Sequence, residues 1–374
     1  MRRCVWLVFF LMGCVESYDF SLKNENPQLV VEGFISDMSY EDSKNSPSDG
    51  RYFKVKLKYT RHVDETVSDS VAALAQVRII DDLNNEWEYY EDWREWGTYY
   101  LIDSDFKAET GRKYKLQIIT RDDEVFESRW ETLPEVQSPE VGNIKFREYD
   151  KIVYEYPAGE QKIREEKVIT VATELPLNTS GEEIFYRWEY TPMWVYEAPL
   201  ATGDLSRYRK CWVTNQKYMP EYTFHEDYSG GYEQELFTLD IEKNERLYKN
   251  FSVLISQQSI SKDYYFFWER MSDQINSNGI FDVPKANLRS NVICTSNPDK
   301  SPIGYFAVVS ESSKRWYFNI SDLSYFVQDD VLDECQVQYN NPRDPPDYAP
   351  ECLVCLEYPK GKTTLVKPDW WTDK

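Results

Sequence analysis

The run Phe53-Lys54-Val55-Lys56-Leu57-Lys58-Tyr59 decides how the first part of the chain folds. Phe53, Val55, Leu57 and Tyr59 fall on one face and three lysines on the other. That is the two-residue period of a half-buried β-strand; a helix would scatter the same residues around its circumference. Upstream, Leu29-Val30-Val31-Glu32-Gly33-Phe34-Ile35 is a short apolar strand whose glycine marks a bulge. Residues 38–50, rich in Ser, Asp, Asn and Pro, form a long loop. Downstream come residues 75–79, then 86–89 after the 82–85 turn, then 97–101, 114–118 and 125–128. These seven short strands, separated by turns, predict a β-sandwich over residues 27–134.

Residues 135–374 are less regular and are expected to form a larger β-rich domain. Its strands are 168–172, 185–190, 211–213, 236–239, 251–256, 292–294 and 303–308, and 316–320 is expected to pair with the strand at 303–308. In 185–190, Phe185, Arg187 and Glu189 share one face, and Tyr186, Trp188 and Tyr190 the other. One amphipathic helix stands out, with Tyr264, Phe267, Trp268, Met271 and Ile275 in a single stripe. Ser261 caps it, Asp263 sits in its first turn and Gly279 stops it. The expected fold class is therefore mainly β: an N-terminal sandwich, then a β-rich domain with one helix. The order Ala75-x-Val77-x-Ile79, Gly97-Thr98-Tyr99, Tyr114-x-Leu116-x-Ile118 resembles transthyretin-like and immunoglobulin-like modules.

The first two dozen residues carry an address. Arg2 and Arg3 precede a short apolar run, Val5 to Met12, well below the roughly 20 residues of a membrane-spanning helix. Leu11-Met12-Gly13-Cys14 resembles a bacterial lipobox, although Met12 departs from the smaller residue usual at that position. Residues 1–13 are read as a lipoprotein signal peptide, Cys14 as the lipidated residue and 14–26 as a tether. Glu16 and Asp19 fit either an export signal or ordinary linker charge. The chain carries a net charge of −22, which argues against nucleic acid as a partner, because phosphate binding is driven by Lys and Arg. Aromatic residues make up 16% of it, too many for a disordered chain.

Cysteine usage points the same way. Beyond Cys4 and Cys14, the chain holds Cys211, Cys294, Cys335, Cys352 and Cys355. In an exported, oxidising compartment these form up to two bridges with one thiol left over. Cys335 is expected to pair with Cys352 or Cys355, stapling a Pro-rich tail; a loop of roughly 20 residues closed this way contributes about 3 kcal/mol. Zinc at the Cys352-x-x-Cys355 pair is the less favoured alternative, so no metal and no cofactor are expected. The two histidines, His62 and His225, lie outside any catalytic motif. Trp87 reads as core. Trp93 and Trp96, in a loop, and Trp370 and Trp371, near the end, are candidate binding aromatics, with packing as the alternative.

Several stretches together resemble a family. They are Cys14-Val15-Glu16, Leu29-Val30-Val31-Glu32-Gly33, Gly97-Thr98-Tyr99, residues 111–118 and Cys211-Trp212. Cys294-Thr295-Ser296-Asn297-Pro298, Gly304-Tyr305-Phe306, Cys352-Leu353-Val354-Cys355 and Lys367-Pro368-Asp369-Trp370 follow in order. The chain resembles the domain-of-unknown-function family 4249, of Bacteroidota-type outer-membrane lipoproteins. Its tail departs from the family in having only Gly361 between the last cysteine and the Pro-aromatic end. The resemblance implies a lipid-anchored outer-membrane protein facing the cell exterior, encoded beside a TonB-dependent receptor and not an enzyme. The expected role is that of a non-catalytic accessory or ligand-capture partner of such a transporter. An independent glycan- or protein-binding surface module is the alternative.

Overall fold

The computed structural model describes residues 27–60, 71–135, 140–220, 222–276, 290–329, 331, 334–335 and 348–373. The signal, the tether, Cys14, His62 and Gly279 lie outside the described residues.

The seven N-terminal strands are present as expected. They are β1 (Leu29–Ser36), β2 (Phe53–Tyr59), β3 (Gln76–Asp81), β4 (Glu86–Glu91), β5 (Thr98–Leu101), β6 (Lys113–Ile119) and β7 (Val125–Ser128). The alternation in β2 does what its pattern requires: Phe53, Val55 and Leu57 are buried, and the lysines between them face away from the core. The 38–50 loop contains one helical turn, α1 (Tyr40–Ser43), capped by Ser39 and Asp42 in reciprocal hydrogen bonds. A two-residue strand, β8 (Glu131–Thr132), follows β7 and pairs with β6.

The second half adds β9 (Ile144–Glu155), β10 (Lys162–Glu174), β11 (Ile184–Glu197), β12 (Lys210–Thr214), β13 (Tyr222–Asp227), β14 (Glu233–Asp240) and β15 (Asn250–Ile260). The helix α2 (Lys262–Asn276), β16 (Val292–Cys294), β17 (Ile303–Asn319), a short α3 (Pro350–Leu353) and β18 (Lys362–Thr364) complete it. Ser261 accepts a hydrogen bond from the Tyr264 amide, the cap its position predicted.

Two expectations are corrected. Residues 303–308 and 316–320 do not pair with each other; they are the two ends of the 17-residue strand β17. Residues 303–309 run parallel to β1, and residues 310–319 run antiparallel to β15. The polar stretch Ser310-Glu311-Ser312-Ser313-Lys314-Arg315 lies between 303–308 and 316–320, and β15 supplies a matching polar stretch, Ser256-Gln257-Gln258-Ser259, directly across the ladder. The second correction concerns the boundary at residue 134. Strand β16 pairs with β7, and Val292, Cys294, Phe306 and Val308 fill the core beneath β2, β3 and β6. The N-terminal sandwich is therefore completed by residues 290–309.

That sandwich faces β16-β7-β6-β3 across from β5-β2-β1-β17, and β4 bridges the two layers by pairing first with β3 and then with β5. In the second sandwich, β17-β15-β11-β12-β18 stacks on the sheet β14-β10-β9, with β13 on β11. Its core holds Trp188, Trp194, Val253, Phe318, Ile169 and Phe237. Helix α2 lies on the opposite face of β11 and β17, with Tyr264 and Phe267 buried against Phe185, Tyr305 and Val309. Strand β17 thus belongs to both sandwiches.

Gly33 marks a close approach rather than a bulge. The ladders on both sides of it are unbroken, and a Cβ there would lie 2.8 Å from Val55 Cγ2. Gly304, at φ +129°, tolerates no side chain either, since a Cβ would fall 1.8 Å from the Val31 carbonyl oxygen in the parallel pair.

Candidate functional site

Where the two sandwiches meet, the outer face of β1 and β2 and the odd-numbered face of β11 form a cleft of about 470 Å3. One wall carries Glu32, Phe34, Lys54 and Lys56; the other carries Arg187, Glu189 and Tyr222. Strand geometry dictates this. The lysines of β2 alternate with its core residues, so they must project away from the first core. Arg187 and Glu189 alternate with Tyr186, Trp188 and Tyr190, which fill the second core. Each face would look into water in an isolated sandwich, and the shared strand β17 brings the two face to face.

Arg187 is 1% exposed and sits in a cage of rings. Its guanidinium carbon lies 3.9 Å from the Tyr222 ring centre, 5.6 Å from Phe34, 5.7 Å from Trp268 and 5.8 Å from Tyr264. Nη2 pairs with Glu189 Oε1 at 2.7 Å, and Nη1 donates to Gln258 Oε1 at 2.8 Å. Burial opposes the charge, but the Tyr264 oxygen and the Glu189 carboxylate outweigh it and hold the group above its ordinary value. Charging such a group in a dry interior is costly unless it is paired, so Glu189 and Gln258 are obligatory neighbours.

The seam continues across the sheet. In the ladder Arg187 stands opposite Gln258, and Gln258 opposite Glu311. Glu311 is ion-paired to Arg51, whose guanidinium carbon lies 5.0 Å from the Phe34 ring centre, so two arginines contact that ring. Burial pushes the Glu311 carboxyl up against the opposing pull of Arg51. Asp37 accepts from the Ser310 hydroxyl at 2.7 Å and the Glu311 amide at 2.8 Å, tying the loop after β1 to β17.

Lys54 is different. Burial first, then the Lys56 ammonium, hold it below the usual lysine range, while Glu189, Glu32 and Glu95 pull the other way. Its side chain keeps contact with solvent along the open side of the cleft, so water still screens part of its charge. Lys56 stands directly opposite Glu32 in the β1–β2 register, and Glu32 Oε1 accepts a hydrogen bond from the Tyr222 hydroxyl at 2.9 Å.

A second concavity, about 560 Å3, lies at the start of α2. Burial raises the Glu131 carboxyl there, and Asn291 Nδ2 and the Tyr305 hydroxyl donate to it at 2.8 and 3.2 Å. Asn291 Nδ2 also donates to the Phe306 carbonyl, so this cluster ties β8 to β17.

The residues singled out in the sequence are dispersed. Trp93 and Trp96 are exposed, at 71% and 53%, on the β4–β5 turn. They flank Arg94 and Glu95, and neither lines the cleft. Trp371 is buried against Val195 and Trp212. Trp370 Nε1 donates to Asp49 at 2.7 Å, and Arg315 stacks on its ring at 3.7 Å. Those two tryptophans pack the tail against the body, Trp371 buried and Trp370 half-buried. Cys335 is bridged to Cys352, and Cys355 to Cys211, leaving Cys294 unpaired in the N-terminal core. His225 meets the Tyr232 hydroxyl, which donates to Asp227 at 2.9 Å; Asp227 also accepts from the Gly230 amide and so closes the β13–β14 turn. Burial lowers the His225 value. Among the described residues no group of three or more His, Cys, Asp or Glu could hold a metal ion, and no helix is long and apolar enough to cross a membrane.

Sequence reasoning missed Lys54, Lys56, Arg187, Glu189 and Tyr222 as one site. The alternation of β2 and β11 was readable, but not that the two polar faces oppose each other. A family model described as Domain of unknown function (DUF4249) matches residues 15–315. The chain belongs to this family. No curated protein matches it. The match takes in every cleft residue named above and stops inside β17, so both disulfides reach into the tail beyond it.

Proposed function

We propose that this protein is an outer-membrane lipoprotein, tethered through acyl chains on Cys14. In this reading it works without catalysis as an accessory or ligand-capture partner of a TonB-dependent transporter. The observation that carries the capture role is the cleft between the sandwiches. It is concave and part aromatic, and it holds fixed charges, which is the usual make-up of a small-molecule seat. Among its described lining residues there is no serine, cysteine or histidine to serve as a nucleophile–base pair. The tether rests on Leu11-Met12-Gly13-Cys14, and the transporter on the family resemblance. Anchoring confines the protein to the membrane plane, where the raised effective concentration lets a modest contact patch hold a partner.

The exposed pair Trp93 and Trp96 supplies that patch, and it also favours the second reading, an independent glycan-binding module, since ring faces stack on sugars. Uptake separates the readings. Deleting the protein slows uptake of the transporter's substrate if it is an accessory, and leaves uptake unchanged if it binds glycans alone. Turnover of a substrate by the purified protein would overturn both.

A further inference from the structure

We infer that the inter-sandwich cleft binds a small organic anion, with Lys54 meeting the anionic group and Phe34 and Tyr222 flanking the apolar body. The inference rests on the reading of the cleft as a ligand seat and adds the class of ligand.

The charge distribution is the first argument. In a chain of net charge −22, the cleft gathers Lys54, Lys56, Lys217 and Arg187 against Glu32 and Glu189. Of these four cations, Arg187 alone has an ion pair among the described residues, and the three lysines differ in setting. Arg187 is held by Glu189 and Gln258 inside its ring cage, Lys56 faces Glu32 across the ladder, and Lys217 is exposed on the adjoining loop. Lys54 has no hydrogen bond or ion pair among the described residues. Its ammonium is disfavoured by its surroundings and by a like charge two residues away. An anion entering the cleft reverses both effects, supplying counter-charge where partial exclusion of water strengthens it.

The walls give the second argument. Phe34 and Tyr222 are fixed by the arginines they stack with, so their rings are positioned before any ligand arrives. Met219 and Pro220 add apolar surface at the rim. An inorganic anion would satisfy Lys54 and leave these walls unused. A neutral sugar would use the rings and leave Lys54 uncompensated. A nucleic acid is repelled by the overall charge. A carboxylate or phosphate joined to a flat or apolar body uses both halves, and the cavity lies within the roughly 300–1,000 Å3 usual for small-molecule sites.

The test is calorimetric titration of the purified protein with benzoate, acetate, inorganic phosphate and benzamide, the last being the neutral counterpart of benzoate. Benzoate is expected to bind saturably, acetate and phosphate more weakly, and benzamide not at all. Lys54→Met should weaken benzoate by roughly tenfold or more, Lys54→Arg should retain it, and Lys167→Met, on the distant β9–β10 hairpin, should leave it unchanged. Because the ammonium is disfavoured in the empty cleft, Lys54→Met should melt at or above the wild-type temperature, which separates lost binding from lost folding. The inference is overturned if no anion binds saturably, if benzamide equals benzoate, if phosphate exceeds benzoate, or if Lys54→Met binds benzoate like the wild type. The titration contains no transporter, so a negative result refutes the ligand class while the partnership is judged separately by membrane capture.

Discussion

The Arg187 guanidinium carbon lies over Tyr222, 3.9 Å from the ring centre, and this contact joins β11 to the Tyr222 wall of the cleft. Tyr222 in turn donates to Glu32 on β1, so one stacked pair links both sandwiches.

Breaking that pair should destabilise the whole molecule. Arg187→Ala leaves Glu189 and Gln258 without their partner and opens a hole among four rings. The loss expected for breaking a buried ion pair is about 3–5 kcal/mol. Chemical denaturation measures it, and the double variant Arg187→Met with Glu189→Met should recover part of the loss. A change under about 0.5 kcal/mol, the usual range for a surface substitution, would show that the cage is not structural.

Glu311 gives a pH prediction. Its side chain is 1% exposed and burial raises its folded-state value above the unfolded 4.5, with Arg51 opposing. A carboxyl raised on folding stabilises most fully below the unfolded value, and that contribution is lost as pH rises through the folded value. Glu311→Gln cannot titrate. The stability of the variant minus that of the wild type should therefore become more favourable as pH climbs from below 4.5 toward neutrality. Paired denaturation curves across that range check the sign, and a flat difference would contradict it.

The disulfides should map as Cys211–Cys355 and Cys335–Cys352 in a non-reducing peptide digest, with Cys294 alkylated only after unfolding. Their sequence separations of 144 and 17 residues differ widely. Loop-closure entropy then ranks their removal at about 5 and about 3 kcal/mol. Stoichiometric zinc in the purified protein, or a Cys335–Cys355 peptide, would contradict the pairing.

Residues 27–134 expressed alone should show no cooperative thermal transition. The segment lacks Val292, Cys294, Phe306 and Val308, and it exposes the edges of β1 and β7 that β17 and β16 cover. Adding residues 290–309 by fusion should restore a transition. Cooperative melting of the short segment would restore the boundary at 134.

Much of the fold was legible because strands that bury one face must alternate. The seven N-terminal strands and the two faces of β11 follow from that period, and the stripe of α2 follows from the 3.6-residue period of a helix. Four strands escaped, the two-residue β8 among them. In β9 the polar and apolar residues are both largely exposed; β13 keeps mostly half-buried side chains; and β18 has three residues. The pairing of 303–308 with 316–320 was wrong because the polar run 310–315 continues the strand against a matching run 50 to 60 positions earlier in the chain, which no local pattern reveals. The site was illegible for a related reason. Lys54 and Arg187 each occupy an ordinary outward-facing strand position, and only the shared strand β17 makes the two outward faces meet. Packing and contact stayed open for the tail tryptophans because their partners, Asp49, Val195 and Arg315, are remote in sequence.

Affinity capture from gently solubilised outer membranes, read by mass spectrometry, tests the central claim most directly. The account predicts that a TonB-dependent transporter is enriched with the wild-type protein in near-stoichiometric amount. It also predicts that the transporter is lost with the Trp93→Ala, Trp96→Ala double variant, which removes only exposed rings and should fold normally. Capture that never contains the transporter, from membranes in which it is abundant, would contradict the account.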